Sequence, residues 1–302
     1  MSIPLINFEK LMAGDEATQS ELRRGVRDIG FLVVENTNIP LAQIQSLIAK
    51  YREFFVQSDD AKAPFDMAQT GSNRGWGRAK GEQVNPEANP DYKQVFDVGV
   101  ELPEGDPLSS ETYYAPNLWP PVYGLKEEVV AYYDQAFDVS IKLLSAIAQT
   151  VDLPADFFKD KFNPPMALLR ANYYPPRPSD AGAKDFGIAE HTDYGCLTLL
   201  AADGVPGLEV LLKSGEWAPI NAHPGQFVIN FGEMIERWSN GKICATLHRV
   251  VGTPKERISI PYFFNPAYDT NVAPLGSGDN FRAGDWLTKR YNETYVHKQK
   301  TQ

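Results

Sequence analysis

Apolar residues in the first part of the chain follow two patterns, short uninterrupted runs and helical spacing. Residues 3–8 and 31–34 form short apolar runs bounded by polar residues, which predict buried strands. Residues 16–28 and 41–55 carry apolar side chains three or four positions apart, which predicts amphipathic helices. Gly30 ends the first of these helices, as expected at a helix boundary. The chain therefore begins with the order strand, helix, strand, helix.

The pattern changes towards the middle of the chain. Residues 71–90 are rich in glycine, asparagine and charge and predict an irregular loop, residues 95–100 predict a strand, and residues 126–151 predict the longest helix. From residue 166 onwards short β-type runs alternate with turns, and the predicted strands are 166–174, 196–201, 208–212, 217–220, 227–231, 246–251 and 257–264. Such spacing is typical of a β-barrel or a double-sheet jelly roll. The sequence thus predicts an α+β protein in which helices, mostly from the N-terminal half, buttress a β core.

The composition narrows the classes of partner. The chain has 302 residues, 43% of them hydrophobic, and a net charge of −10. Because nucleic acids and anionic membranes attract basic surfaces, neither is expected as a main partner. Two cysteines, Cys196 and Cys244, are too few for a secreted disulfide framework, and the sequence shows neither a signal peptide nor an apolar stretch long enough to span a membrane. We expect a cytoplasmic protein that is a monomer or a weak homo-oligomer.

The chain contains four histidines, and two of them could bind a metal. His223 lies in a turn-type segment and His297 in the polar C-terminal tail. His191 and Asp193 are two residues apart, so on an extended segment they project to the same side, and a later strand carries His248. Two imidazoles and one carboxylate with open positions suit a non-haem Fe(II) oxygenase, although a zinc hydrolase uses the same ligand types. A turn histidine followed by a turn-capping aspartate is the structural alternative.

Two strand-like segments carry candidate ligand-binding side chains on one face. In the later segment, alternation places Arg257 and Ser259 on one side and apolar residues on the other. A guanidinium with a hydroxyl beside it suits a carboxylate, whereas a surface arginine beside an edge serine is the alternative. In the earlier segment, the same alternation aligns Arg170, Asn172 and Tyr174. These three side chains line a cavity or, equally well from the pattern alone, belong to a half-exposed edge strand.

Five short motifs occur in a characteristic order, namely Asn172-Tyr-Tyr-Pro-Pro176, His191-Thr-Asp193, Trp238-Ser-Asn-Gly241, His248-Arg-Val250 and Arg257-Ile-Ser259. Together they resemble the isopenicillin N synthase-like group of iron(II)- and 2-oxoglutarate-dependent dioxygenases. The segment Pro90-Asp-Tyr-Lys-Gln-Val-Phe-Asp97 resembles the N-terminal region of the same group. The resemblance therefore extends over nearly the whole chain.

This resemblance implies a fold and a metal. The implied core is a distorted double-stranded β-helix, or jelly roll, in a single unit over residues 1–302. Residues 1–125 would contribute to the substrate pocket, and residues 166–270 would carry the iron site. Iron(II) would be bound by His191, Asp193 and His248.

The resemblance also implies how a co-substrate is held. Arg257, Ser259 and Tyr174 would bind the distal carboxylate of 2-oxoglutarate, Asn172 would lie beside the metal and the co-substrate, and Phe263 would form part of the pocket wall. The implied reaction uses O2 to oxidise a C–H bond of a small molecule by hydroxylation, desaturation or cyclisation, and it releases succinate and CO2. An Fe(II) oxidase that does not use 2-oxoglutarate is the alternative within the family, and a zinc-dependent hydrolase is the alternative from another class.

Candidate substrate contacts come from the loop before the predicted strand 95–100 and from a later strand. Arg74, Trp76 and Arg78 form a small basic and aromatic group in an acidic protein, which would suit a carboxylate such as an amino-acid-derived metabolite. A solvated loop with scattered charges is the alternative. Arg170 is expected to contact the substrate or the co-substrate.

Overall fold

The computed structural model describes residues 2–294, so His297 lies outside the described residues. The helices are α1 (Phe8–Met12), α2 (Glu16–Arg24), α3 (Leu41–Phe55), α4 (Asp59–Lys62), α5 (Met67–Thr70), α6 (Leu125–Thr150), α7 (Glu233–Trp238) and α8 (Ala283–Thr294). The strands are β1 (Leu5–Asn7), β2 (Phe31–Glu35), β3 (Gly75–Gly77), β4 (Gln94–Gly99), β5 (Leu168–Tyr174), β6 (Ile188–His191), β7 (Leu197–Ala202), β8 (Leu208–Leu211), β9 (Trp217–Pro219), β10 (Phe227–Phe231), β11 (His248–Val250) and β12 (Arg257–Phe264). Within residues 2–294, none of the helices combines the length and the apolar character needed to cross a membrane.

The strands form two sheets. The larger sheet has the order β1-β2-β10-β7-β12-β5-β4-β3, and the smaller sheet has the order β6-β11-β8-β9. The β1–β2 pair is parallel and the other pairs are antiparallel. One apolar cluster contains side chains from β2 and β10 of the larger sheet and from β8 and β11 of the smaller, so the two sheets pack face to face. This architecture confirms the predicted α+β class with a jelly-roll core.

Two helices cover the outer face of the larger sheet. Helices α3 and α6 pack against each other, and both contact β12, while α3 also contacts β5 and α6 contacts β7. The buried side chains of α3 recur at helical spacing, namely Ile44, Leu47, Ile48, Tyr51, Phe54 and Phe55. Because strand side chains alternate, one face of β12 meets these helices and the other faces the smaller sheet. The helices thus hold the sheet from outside, and its inner face is available for a functional site.

The structure corrects several sequence-based assignments. Strand β3 lies inside the segment predicted to be an irregular loop, because its pairing with β4 depends on distant partners rather than on its own glycine-rich sequence. Strand β6 and helices α1, α4, α5, α7 and α8 are not among the elements that the sequence predicts. Strand β5 lies between β12 and β4 and all seven of its residues are buried, so the edge-strand alternative is wrong.

Candidate metal centre and substrate cavity

Three ligand-type side chains converge where β6 meets β11. His191 is the last residue of β6 and His248 the first of β11, and the two are direct partners in the antiparallel pair. Asp193 follows β6 in a turn, and its Oδ1 atom lies 3.8 Å from His191 Nε2 and 3.7 Å from His248 Nε2. Among the described residues, this is the one group of His, Cys, Asp or Glu side chains whose ligand atoms all lie within 4.8 Å of one another. The three residues selected from the sequence are therefore adjacent in space.

Backbone carbonyls fix the orientation of both imidazoles. His191 Nδ1 lies 2.8 Å from the carbonyl oxygen of Ala189, and His248 Nδ1 lies 3.1 Å from that of Thr246. Since a carbonyl oxygen only accepts hydrogen bonds, each Nδ1 carries a proton and donates it. Each Nε2 then keeps its lone pair, directed towards the Asp193 carboxylate. Metal-binding histidines in proteins are commonly oriented by this kind of hydrogen bond.

Two side chains of the larger sheet hold the Asp193 carboxylate. Thr198 Oγ1 and Asn230 Nδ2 donate to Asp193 Oδ2 at 2.5 and 2.6 Å. Thr198 on β7 and Asn230 on β10 are direct partners in the sheet, so the backbone fixes the spacing of the two donors. Neither residue is predicted from the sequence. The signal that could have found them is that each is the polar residue of an otherwise apolar strand.

Burial sets the protonation of this group. It lowers the pKa of His191 to about 3, and the neighbouring His248 adds to the effect. Burial opposes ionisation of Asp193, but the two neighbouring histidines and the hydrogen bonds from Thr198 and Asn230 outweigh it, and the pKa of Asp193 is lowered. At neutral pH, His191 is therefore a neutral imidazole and Asp193 a carboxylate. Nitrogen lone pairs beside an anionic oxygen are a donor set that fits Fe(II).

A buried arginine faces the interior of the jelly roll from β12. Arg257 is only 4% exposed, its Nη1 donates to Ser259 Oγ at 3.1 Å, and its Nε donates to the Val205 carbonyl oxygen at 3.2 Å. The guanidinium carbon lies 5.1 Å from the centre of the Tyr174 ring, directly across the β12–β5 pair. No carboxylate among the described residues forms an ion pair with Arg257. The surface-arginine alternative is therefore wrong, and the guanidinium is free to receive an anion.

Two predicted binding residues of β5 lie opposite the Arg257-Ser259 pair. Asn172 is the sheet partner of Ser259, and Tyr174 is the partner of Arg257. Asn172 is buried, and its Oδ1 atom has no hydrogen-bond partner among the described residues. Burial raises the pKa of Tyr174, so its hydroxyl keeps its proton and is able to donate. An unpaired buried amide oxygen beside a protonated phenol indicates a binding site for a polar ligand.

A cavity opens beside the candidate metal ligands. Its wall includes His191 and Asp193, together with the predicted residues Arg170, Asn172 and Phe263. The other lining residues were not predicted, and they are Glu82, Val84, Lys93, Leu168, Ile188, Thr192, Tyr194, Gly195, Asn265, Leu287, Tyr291 and Thr294. The wall therefore combines the jelly roll with a segment before β4 and with α8.

Arg170 lies in the cavity wall but is engaged by two carboxylates. Its Nε and Nη2 atoms donate to the two oxygen atoms of Asp97 at 2.7 Å each, and its Nη1 donates to Glu82 Oε2 at 3.0 Å. Asp97 is the direct partner of Arg170 in the β4–β5 pair. The guanidinium charge expected to bind substrate is thus compensated within the protein.

The other predicted substrate contacts do not reach the cavity wall. Arg74 is buried and donates to the backbone carbonyls of Asn73 and Tyr113. Trp76 is buried, and Lys62 Nζ and the guanidinium carbon of Arg78 each lie 4.7 Å from the centre of its ring. Arg78 is half exposed and pairs with Asp66 at 2.8 Å. The solvated-loop alternative fails for Arg74 and Trp76, because both side chains are buried.

Helix α8 contacts the turn that follows β6. Trp286 Nε1 donates to the Tyr194 carbonyl oxygen at 2.8 Å, and Arg290 pairs with Glu233 at 3.1 Å. Glu233 in turn accepts a hydrogen bond of 2.5 Å from Thr192. The wall of the cavity and the turn carrying the candidate metal ligand are therefore joined through side chains that no sequence motif indicated.

Comparisons with known proteins agree with this architecture. Residues 165–266 match the family described as the 2OG-Fe(II) oxygenase superfamily, and residues 3–122 match the N-terminal region described for non-haem dioxygenases in morphine synthesis. The 2-oxoglutarate-dependent dioxygenase traH of Penicillium crustosum is 30% identical over 86% of this chain and 81% of its own. The 2-oxoglutarate-Fe(II) type oxidoreductase hxnY of Emericella nidulans is 28% identical over 90% and 82%.

A solved structure shows the same likeness in three dimensions. A full-length protein of Neurospora crassa, solved in complex with alpha-KG, superimposes with a TM-score of 0.85 at 27% identity, over 96% of both chains. The same Neurospora protein has been solved with alpha-KG and thymine, with a TM-score of 0.84 over the same share of each chain. Alpha-KG is 2-oxoglutarate. The chain described here belongs to the family of iron(II)- and 2-oxoglutarate-dependent dioxygenases.

Proposed function

We propose that His191, Asp193 and His248 hold the Fe(II) of this dioxygenase. The assignment is supported by the convergence of their ligand atoms, by the Nδ1 hydrogen bonds that direct both Nε2 lone pairs inwards, and by the two donors that leave Asp193 Oδ1 free. Three protein ligands on one face of the ion leave positions for a co-substrate and for O2.

For 2-oxoglutarate we propose a site between the iron ligands and Arg257. The observation that carries this proposal is that Arg257 is a buried cation without a carboxylate partner among the described residues. A buried charge is costly unless an opposite charge compensates it, and the distal carboxylate of 2-oxoglutarate supplies that charge. Ser259 and Tyr174 add hydroxyl donors, and Asn172 lies beside the other end of the co-substrate.

When bound, Fe(II) and 2-oxoglutarate supply the activation of O2 and the oxidation of a C–H bond, with release of succinate and CO2. The protein binds and orients the co-substrate and the substrate, and it excludes water from them. Asn230 and Thr198 keep Asp193 in one orientation. The apolar wall formed by Leu168, Phe263 and Leu287 separates the reacting C–H bond from solvent.

The substrate is a small molecule held in the cavity beside His191 and Asp193. The Neurospora protein has been solved in complex with thymine, which supports a small polar ring as the kind of substrate. The outcome is hydroxylation, desaturation or cyclisation. Nothing in the family assignment favours an oxidase independent of 2-oxoglutarate or a zinc-dependent hydrolase.

Around this site we propose one functional unit. Residues 1–125 supply Glu82, Val84 and Lys93 to the cavity, and residues 166–270 supply the proposed iron ligands. We further propose that the protein works in the cytoplasm as a monomer or weak homo-oligomer, without a nucleic-acid or membrane partner. The net charge of −10 supports the absence of nucleic-acid and anionic-membrane partners.

The test is anaerobic addition of Fe(II) to the metal-free protein, with and without 2-oxoglutarate. A visible metal-to-ligand charge-transfer band is expected only when both are present. In Arg257→Met, the 2-oxoglutarate concentration needed for half of the band should rise about a hundredfold, because a charge-compensating contact is lost. Arg24→Met removes a surface arginine from α2 and serves as the control. A band of unchanged affinity in Arg257→Met contradicts the co-substrate site, and absence of the band in the wild type contradicts 2-oxoglutarate binding altogether.

A further inference from the structure

Six buried charged side chains lie together along one side of the cavity. We call them the ionic cluster, and its members are Arg74, Glu82, Asp91, Lys93, Asp97 and Arg170. All six are buried, and Glu82, Lys93 and Arg170 also line the cavity. Such a group is unusual in a protein interior, because burying charge is costly unless opposite charges meet.

Direct contacts compensate most of these charges. Arg170 lies 2.7 Å from Asp97 and 2.9 Å from Glu82. Lys93 Nζ lies 2.7 Å from Glu82 Oε2 and 3.0 Å from Asp91 Oδ2. The positive charges of Arg170 and Lys93 outweigh the burial of Glu82, and they lower its pKa to about 2, so that it stays ionised.

Arg74 is the third cation of the ionic cluster. Burial raises the pKa of Asp97, and the charge of Arg170 and, more weakly, that of Arg74 oppose this shift. Burial raises the pKa of Asp91 in the same way, and the Lys93 ammonium at 3.0 Å opposes it. Arg170 donates to both oxygens of Asp97 at 2.7 Å, so direct contact with a cation holds each of these groups as a carboxylate. The ionic cluster therefore contains three cations and three carboxylates. Among the described residues that line the cavity, Lys93 and Arg170 are the cations, and each contacts two carboxylates.

The charges on the iron side of the cavity also cancel. If the proposed function is correct, the charges of Fe(II), the Asp193 carboxylate, the 2-oxoglutarate dianion and Arg257 also cancel. A substrate carboxylate would then lie beside Glu82 with no uncompensated cation to receive it. A substrate ammonium would lie beside Lys93 and Arg170 with no uncompensated anion. Either charge would lose its hydration without compensation.

The cavity does offer hydrogen bonds to a neutral ligand. Lys93 has three N–H groups, and described residues accept from two of them, so one N–H remains to donate. The carboxylate oxygens of Glu82 retain lone pairs that accept. The remaining wall is largely apolar and aromatic, with Leu168, Phe263 and Leu287 among its residues.

We propose that the substrate of this dioxygenase is uncharged and carries both a hydrogen-bond acceptor for Lys93 and a donor for Glu82, as in a cyclic amide. This inference rests on the proposed function and replaces the carboxylate substrate expected from the basic loop. Glu82 and Lys93 select the substrate by charge, and Asp91 acts through Lys93 as a positioning residue.

The experiment measures binding of matched neutral and anionic probes by calorimetry. The pairs are uracil with orotate, nicotinamide with nicotinate, and benzamide with benzoate. The protein is the anaerobic Fe(II) and 2-oxoglutarate complex, in which the charge-transfer band reports independently on the proposed function. For wild type, the neutral member of a pair should bind at least about tenfold more tightly than the anion, because the cluster holds no spare positive charge.

Variants make the test decisive even if no probe binds the wild type. Glu82→Gln leaves one positive charge uncompensated beside the cavity and should increase the affinity for orotate or benzoate at least about tenfold. Asp91→Asn removes a carboxylate that does not line the cavity and should change affinity in the same direction, so a folding defect in one variant does not end the test. Glu216→Gln removes an exposed carboxylate and is the matched control.

The outcomes separate clearly. Tighter anion binding in Glu82→Gln or Asp91→Asn, with no change in Glu216→Gln, supports the proposal. A wild type that binds orotate as tightly as uracil overturns it. So does a failure of both folded cluster variants to gain affinity for anions. If the charge-transfer band forms normally in these proteins, the proposed function stands whichever result the probes give.

Discussion

Arg249 Nη1 lies 3.1 Å from Glu190 Oε1, and each of these residues is the immediate sequence neighbour of one of the paired histidines. Arg249 Nε also donates to Glu209 on β8 at 2.8 Å, and its guanidinium lies 4.0 Å from the centre of the Trp217 ring on β9. Because adjacent residues of a strand point to opposite faces, this side chain lies behind His248. One arginine therefore links all four strands of the smaller sheet.

Removal of the Arg249 contacts should weaken metal binding, because these contacts support the smaller sheet on the face opposite His248. The β6–β11 pairing is irregular between His248 and Val250, so the backbone ladder between the two histidine strands is interrupted. Arg249→Gln is expected to weaken Fe(II) binding about tenfold, the low end for residues that orient metal ligands. Anaerobic Fe(II) titration against a competing chelator measures this, with the surface variant Arg24→Gln as the control. Unchanged iron affinity would show that the backbone alone fixes the histidines.

The donors to Asp193 allow a cleaner test of ligand orientation. Thr198→Val removes the hydroxyl that donates to Asp193 Oδ2 and keeps the shape of the side chain. We expect Fe(II) affinity to fall about tenfold, because the carboxylate loses one of the two bonds that orient it. Thr198→Ser retains the hydroxyl and should bind Fe(II) like the wild type. Equal losses in both variants would point to packing rather than to the hydrogen bond.

The buried arginines Arg170 and Arg257 should respond oppositely to the same substitution. Arg170→Met leaves Asp97 and Glu82 without their main partner and should reduce the free energy of unfolding by about 3–5 kcal/mol. Arg257→Met removes a buried cation that has no carboxylate partner among the described residues, so the ligand-free protein should be as stable as the wild type or more stable. Urea unfolding of the ligand-free proteins compares them. A similar loss in both variants would contradict the assignment of Arg257 to an external anion.

Acid should destabilise the protein partly through Glu82. Its pKa is lowered from 4.5 to about 2 in the folded state, so ionised Glu82 stabilises the fold above pH 4.5 and this contribution is lost as the pH falls towards 2. Glu82→Gln should therefore be less stable than the wild type by about 3 kcal/mol at neutral pH. The difference should shrink as the pH falls below 4.5. Urea unfolding over this pH range measures it, and a difference independent of pH would contradict the ion-pairing of Glu82.

Residue spacing and strand alternation predicted those parts of the site that depend on residues close together in the sequence. The positions of His191 and Asp193 follow from their spacing, and the inward direction of Arg257 and Ser259 follows from strand alternation. The jelly-roll core could be predicted because apolar runs and turn residues alternate at close intervals from residue 166 onwards.

Long-range pairing decided what the sequence could not predict. The sequence predicts Arg170 as a contact to substrate or co-substrate, because no local signal indicates that Asp97 lies opposite it on β4. Asn230 and Thr198 meet Asp193 only because β7 and β10 are neighbours in the sheet. Helix α8 lies far along the chain from the metal-binding motif, yet Trp286 contacts the turn beside Asp193.

The polar face of β5 has a second consequence, for the fidelity of folding. Arg170, Asn172 and Tyr174 stand on one face of this strand, and their register with β4 and β12 aligns Arg170 with Asp97 and Tyr174 with Arg257. A slip of one residue would turn all three side chains towards the covering helices and separate the buried charges of Arg170 and Asp97. Misregistered chains are thus penalised by the same groups that the finished protein uses at its site. The functional side chains of β5 therefore also favour the native strand register over its alternatives.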